Sequence, residues 1–302
     1  MLEEVFMHFK KISDLYEFEG CPPPENPLLG LRQFNSCSIA LTNKEVTYDF
    51  YTICFKKLES GHFWYGKTKH DSDKGFMYFF KPRQKLAIHD VVIKELGFTI
   101  YVHEDYLMGH PLFSEIKKYG FFDYEINEAL HLSPKEKEIM WSLFHKMETE
   151  YYNNPDEFSK QIILSHLDSI LKYAQRFYKR QFIDRKPLLG ATVTKFNECL
   201  NDYFGKGDAQ IKGLPTVNNM AAQINISPKY LSDILKQETG KTALELIHLY
   251  LISEAKNMLV ESDRSISEIA YQLGFENPPY FSRLFKKEVG LSPKEFKNQL
   301  MN

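Results

Sequence analysis

Residues Ser265–Phe296 read SISEIAYQLGFENPPYFSRLFKKEVGLSPKEF. Ser265 can bond the open backbone amides at a helix start while Glu268, three residues on, reaches back: a capping box. Ile266, Ile269, Ala270 and Leu273 recur at i, i+3, i+4 and i+7, the spacing of one buried face of a short helix. Gly274 stops that helix, because it takes the left-handed conformation without steric cost. Asn277 then reads as an N-cap, with Pro278 where the first helical residue needs no N–H. Phe281, Leu284 and Phe285 make a second helix apolar on one side, Ser282, Arg283 and Lys286 make it polar on the other, and Gly290 ends it. Two short helices joined by a tight turn spell a helix-turn-helix.

The pattern occurs again fifty residues earlier. SPKYLSDILKQETG (227–240) aligns with NPPYFSRLFKKEVG (277–290), with Pro228/Pro278, Tyr230/Tyr280, Ser232/Ser282, Lys236/Lys286, Glu238/Glu288 and Gly240/Gly290 identical. Upstream, Val217, Met220, Ala221 and Ile224 repeat the spacing of Ile266, Ile269, Ala270 and Leu273. The second copy has one extra residue in its turn. A doubled helix-turn-helix is a far sharper sign than a lone one.

On these two segments the sequence resembles the AraC/XylS class of bacterial transcription regulators, strongly over about residues 190–302 and more loosely before that. The resemblance implies an all-α DNA-binding domain with two helix-turn-helix units, preceded by a segment that senses a ligand or mediates dimerisation. One departure stands out: family members often carry Arg four residues before the alanine matching Ala255, and here that position is Leu251.

The rest of the chain sets bounds. Its 302 residues suggest two domains on length alone, and 43% hydrophobic with 26% charged residues is the composition of a globular protein with a good core. No apolar run approaches the ~18 residues of a membrane span, and MLEEVFMHFKK has early acids and no cleavage-like site. Cys21, Cys37, Cys54 and Cys199 form no C-x-x-C pair, so neither a zinc site nor a disulfide framework is indicated. A bacterial cytoplasm, no cofactor and no metal are the expectations. The net charge of −2 is not that of a bulk polyanion binder, and in 187–302 thirteen Lys/Arg balance thirteen Asp/Glu. Affinity for DNA must then come from local placement of cations.

CPPPENP (21–27) cannot be regular structure. From about Leu31 to Leu107, runs such as TYDFYTICFKKL, FMYFF and GFTIYVH alternate with turn-like segments and no helices, which suggests an antiparallel barrel or sandwich. The family resemblance favours a cupin-like sensor barrel here. His62, His70, Asp71, Asp73, His89 and His103 lack the spacing of a cupin metal set. Phe63, Trp64, Tyr65, Phe76, Tyr78, Phe79 and Phe80 either line a ligand pocket or fill the core.

After Pro111 the pattern turns helical. Ser133-Pro134-Lys135-Glu136 is another capping box, opening a helix towards Tyr152, and Asn154-Pro155 starts the next. Ile163, Leu167, Ile170, Leu171, Ala174, Phe177 and Tyr178 form its apolar stripe, fit to pack on the barrel, on a second subunit, or on both. The resemblance, in which helices placed here pair subunits, favours a homodimer. Arg176, Lys179, Arg180, Arg185 and Lys186 read as a solvated basic face. A helix from about Ala243 to Val260, ~27 Å long, links the two units, of the order of the ~34 Å between successive major-groove faces once its flanking turns are added.

The expected whole is a multi-domain α+β chain: a cupin-like domain (1–110), a helical dimerisation segment (111–186) and a double helix-turn-helix domain (187–302). Its function would be sequence-specific regulation of transcription in response to a small molecule, with double-stranded DNA, a second copy and RNA polymerase as partners. Base reading is expected from Lys229, Ser232, Asp233 and Lys236 in the first unit and Ser282, Arg283 and Lys286 in the second, with Asn277 closer to a cap or phosphate contact. The alternative is a metal-dependent cupin enzyme fused to a helical module without DNA binding.

Overall fold

A computed structural model describes residues 5–41, 44–58, 63–65, 68–70, 75–88, 91–125, 128–153, 156–184, 186–261 and 264–301. The chain divides into two compact units, Met1–Gln181 and Phe182–Asn302.

The first unit begins with β1 (Val5–Phe9) and α1 (Ile12–Phe18), followed by β2 (Leu29–Leu41), β3 (Lys44–Tyr48), β4 (Phe50–Leu58), β5 (Phe63–Tyr65), β6 (Thr68–His70), β7 (Phe76–Phe80), β8 (Leu86–Ile88) and β9 (Val91–His103). Two short helices follow, α2 (Glu104–Leu107) and α3 (Leu112–Glu115), then β10 (Leu130–His131), α4 (Pro134–Tyr152) and α5 (Ser159–Asp184). Among the described residues a five-stranded antiparallel sheet runs β10-β7-β4-β9-β2, beside a three-stranded sheet β1-β3-β8 and the pair β5-β6. These sheets are open, not a closed barrel. Moreover, β1 pairs with β3 in parallel, which an all-antiparallel expectation does not contain.

Where its side chains are described, β9 is buried on both faces from Phe98 to Val102, so GFTIYV reads as a run instead of alternating. Phe98 and Ile100 point one way, and Phe98 stacks on Phe144 of α4 with ring centroids 4.3 Å apart. Tyr101 points the other way into a cluster with Phe9, Ile12, Tyr16, Val46 and Phe50, drawn from β1, α1, β3 and β4. Gly97 is required by close approach: a Cβ there would lie 2.1 Å from the carbonyl oxygen of Phe55. Phe76 and Phe79 are core residues, Phe79 packing on Phe121 at 4.5 Å. Tyr78 and Phe80 are half-buried. The strand carrying Phe63, Trp64 and Tyr65 is placed, but their side chains lie outside the described residues.

Ser133 and Glu136 form the expected capping box with Pro134 at the helix start, and α4 runs to Tyr152. The Asn154-Pro155 start lies outside the described residues; α5 begins at Ser159, where Asp156 Oδ1 accepts from the Phe158 and Ser159 amides at 2.8 and 2.9 Å.

Two expectations are corrected here. The α5 stripe is an internal face: Leu167, Ile170, Leu171 and Ala174 are fully buried within this one chain, so it offers no surface to a second subunit. Arg180 is not part of a solvated basic face. Its guanidinium grips Glu136 through two contacts of 2.7 and 3.0 Å and also donates to the His131 carbonyl at 2.8 Å.

The second unit holds α6 (Lys186–Gly205), α7 (Asp208–Lys212), α8 (Val217–Ile224), α9 (Pro228–Thr239), α10 (Ala243–Glu261), α11 (Ile266–Gln272), α12 (Pro278–Val289) and α13 (Pro293–Met301). Pro187 falls in the first turn of α6, where a missing N–H costs nothing. One core, containing Phe196, Met220, Leu231, Leu251, Ile269 and Phe281 among others, gathers side chains from α6 through α12. No helix among the described residues is long and apolar enough to cross a membrane.

Candidate nucleic-acid interface

The two helix pairs, α8/α9 and α11/α12, are built by the same local chemistry. Thr216 caps α8, accepting from the Asn219 amide at 3.1 Å. Ser265 and Glu268 complete the capping box on α11. Each first helix ends in a left-handed residue, Asn225 at φ 60° and Gly274 at φ 88°. Each then returns an amide to an alanine carbonyl, Ile226 to Ala221 at 3.1 Å and Phe275 to Ala270 at 2.9 Å. Asn225 is a stop signal that the residue pattern alone hides, because Asn is one of the few non-glycine residues that visit this conformation. Gly274 cannot be exchanged so freely. A Cβ there would stand 2.7 Å from the Ala209 carbonyl and 2.8 Å from Gly213.

Ser227 caps α9 and Asn277 caps α12, each accepting from the tyrosine amide three residues on, at 3.2 and 3.3 Å. Both helices end at a left-handed glycine, Gly240 and Gly290. Leu231, Ile234 and Leu235 of α9 and Phe281, Leu284 and Phe285 of α12 are buried, which turns the opposite rows outward. In those rows Lys229 and Lys236 are exposed and Ser232 and Asp233 half-buried; Arg283, Lys286 and Asn277 are exposed and Ser282 half-buried. The structure thus brings together, on one side of each second helix, the residues that the sequence singled out there.

The two rows differ in charge. Lys229 Nζ contacts Asp233 Oδ1 at 2.7 Å, an i,i+4 pair that neutralises both. At the repeat position of Asp233 stands Arg283, exposed on a helix whose other cations, Lys286 and Lys287, sit in its last turn. Lys236 and Lys286 also oppose the negative end of their helix dipoles, a local structural role beside any contact to phosphate. Leu251, where the family resemblance leads one to look for Arg, is buried in the shared core at 1% exposure, so that position is apolar packing here.

In the first unit, no three His, Cys, Asp or Glu side chains converge as a metal set among the described residues. His103 caps α2, its Nδ1 accepting from the Asp105 amide at 3.2 Å. His62, Asp71, Asp73 and His89 lie outside the described residues, as does the side chain of His70.

Residues 220–299 match the model of a helix-turn-helix domain family. The transcriptional regulatory protein YesN of Bacillus subtilis is 42% identical over 111 residues, which are 36% of this chain and 29% of YesN. The HTH-type transcriptional regulator YfiF of the same organism is 24% identical over 274 residues, 86% of this chain and 81% of its own. The C-terminal domain of AraT, a response regulator from Geobacillus stearothermophilus, shares 30% identity over 36% of this chain and 84% of that one, with a TM-score of 0.32. Residues 220–299 of the second unit carry an AraC-type helix-turn-helix domain.

Proposed function

We propose that this chain is a sequence-specific DNA-binding transcription regulator that answers to a small molecule. The observation that carries the reading is the repeated helix pair, whose two second helices bury one row and turn a polar row outward at matching positions. In this reading Lys229, Ser232, Asp233 and Lys236 in α9, and Ser282, Arg283 and Lys286 in α12, face base edges, and Asn277 caps α12 at the groove. Residues 1–110 are the sensor, 111–186 the helical connection, and 187–302 the DNA-binding domain. The chain acts as a homodimer, and RNA polymerase is the machinery it regulates. The regulator names of YesN and YfiF support the assignment.

The test is selection of bound duplexes from a random pool at one fixed salt concentration, with and without cell extract as a source of ligand. Enrichment of one sequence, sharpened or shifted by extract, is the expected outcome. A pool that stays random under both conditions removes the proposal.

A further inference from the structure

We propose that the first turn of α12, through Pro279 and Tyr280, reads the 5-methyl group of a thymine, a contact that its repeat in α9 does not make. This rests on the DNA-binding reading above. Tyr230 and Tyr280 occupy the same register of the repeat, yet Tyr230 is 3% exposed and Tyr280 41%. One is packing; the other is surface. The Tyr280 ring is steadied from one side by Phe275, centroids 5.9 Å apart, and Pro279 beside it is exposed.

The chemistry of this tip is apolar by subtraction. A helix start ordinarily offers free N–H groups to a phosphate. Here Pro278 and Pro279 have none, and the Tyr280 amide donates to the Asn277 side chain at 3.3 Å. What the first turn itself then shows to its surroundings, next to the exposed cap Asn277, is a proline ring and a tyrosine ring. In α9 the residue matching Pro279 is Lys229, held by Asp233, so that tip is polar and ion-paired.

In a helix-turn-helix the N-terminal residues of the second helix meet the base edges. The thymine methyl is the apolar group displayed in the major groove, and an apolar side chain is its complement. Arg283, three and four residues after Tyr280 and Pro279, lies on the same side of the helix and suits guanine. The pair α11/α12 then reads a thymine close to a guanine, and the duplicated chain segment reads two unlike half-sites.

The test uses the full-length protein and a duplex selected from a random pool, with each thymine replaced in turn by uracil, which lacks only the methyl. For the wild type and Tyr280→Phe, uracil at one position should weaken binding about fourfold, what one buried methyl group contributes. For Tyr280→Ala that position should become indifferent while the other positions keep their profile. An unchanged uracil profile in Tyr280→Ala overturns the proposal. So does a Tyr280→Phe protein that behaves like Tyr280→Ala, because the hydroxyl and not the ring would then make the contact. A wild type that binds no selected duplex overturns the regulator reading together with this one, whereas loss of the methyl effect alone overturns only this one.

Discussion

Lys229 and Asp233 face one another across a turn of α9 at 2.7 Å, so neither is a free charge for DNA, whereas Arg283 at the repeat position of Asp233 is exposed. Arg283→Ala should therefore weaken binding sharply and relax preference at one base pair, by about 1–3 kcal/mol of discrimination. Asp233→Ala should release Lys229, raise affinity for random DNA and steepen its dependence on salt by about one counterion. Titrations against specific and random duplexes at several salt concentrations decide this; equal losses for the two variants would mean that the rows do not face DNA. In the first unit, Arg180 carries a different weight. Removing it leaves the buried Glu136 carboxylate with only its cap bonds, so Arg180→Ala should cost about 2–3 kcal/mol in chemical denaturation. Arg180→Lys should recover little, since an ammonium cannot span both carboxylate oxygens and the His131 carbonyl.

At the scale of elements, glycine shows what a turn demands. Gly240 has φ 74° and open space around its Cβ position, so Gly240→Ala should cost only the backbone strain, about 1 kcal/mol. Gly274→Ala adds a clash with the Ala209 carbonyl and should cost about 2–4 kcal/mol. Equal midpoint shifts in urea would contradict the packing role of Gly274. The reciprocal caps on α10, α11 and α13 hold Glu245, Glu268 and Glu295 below the usual carboxylate range by backbone and side-chain hydrogen bonds. A depressed carboxylate contributes stability that is present above its unfolded value and fades as pH falls through the folded one, so these helix starts loosen on acidification. This scale is also where the sequence was most legible. Caps, stops and apolar faces are decided within about eight residues, and Ser133, Ser265, Asn277 and Gly290 all stand where their neighbours imply. What joins distant segments was not legible. The grip of Arg180 on Glu136 spans 44 residues, the parallel pairing of β1 with β3 joins strands nearly forty apart, and Gly97 is needed by a carbonyl on another strand. In the candidate interface the same division holds: the row containing Arg283 follows from helical period, but the exposure of Tyr280 and burial of Tyr230 depend on tertiary surroundings.

On the whole-molecule scale, the burial of the α5 stripe changes what a charge there should do. Leu167→Asp should unfold the N-terminal unit, seen as lost near-ultraviolet dichroism, instead of yielding a folded monomer from a dimer. A folded variant of reduced sedimentation coefficient would return the stripe to a subunit interface. In the second unit, α10 contributes Ala243, Ile247, Leu251, Ala255 and Leu259 to a core that also receives Leu231 and Leu235 from one helix pair and Phe281 and Phe285 from the other. The repeat is thus a duplication in sequence without modularity in thermodynamics. Neither helix pair has an interior of its own, so the two should melt in one transition, and a fragment cut after Val260 should lose its helical dichroism. A substitution in that shared interior is felt by both pairs; what each can vary on its own is the thin outer row that its second helix shows to its surroundings.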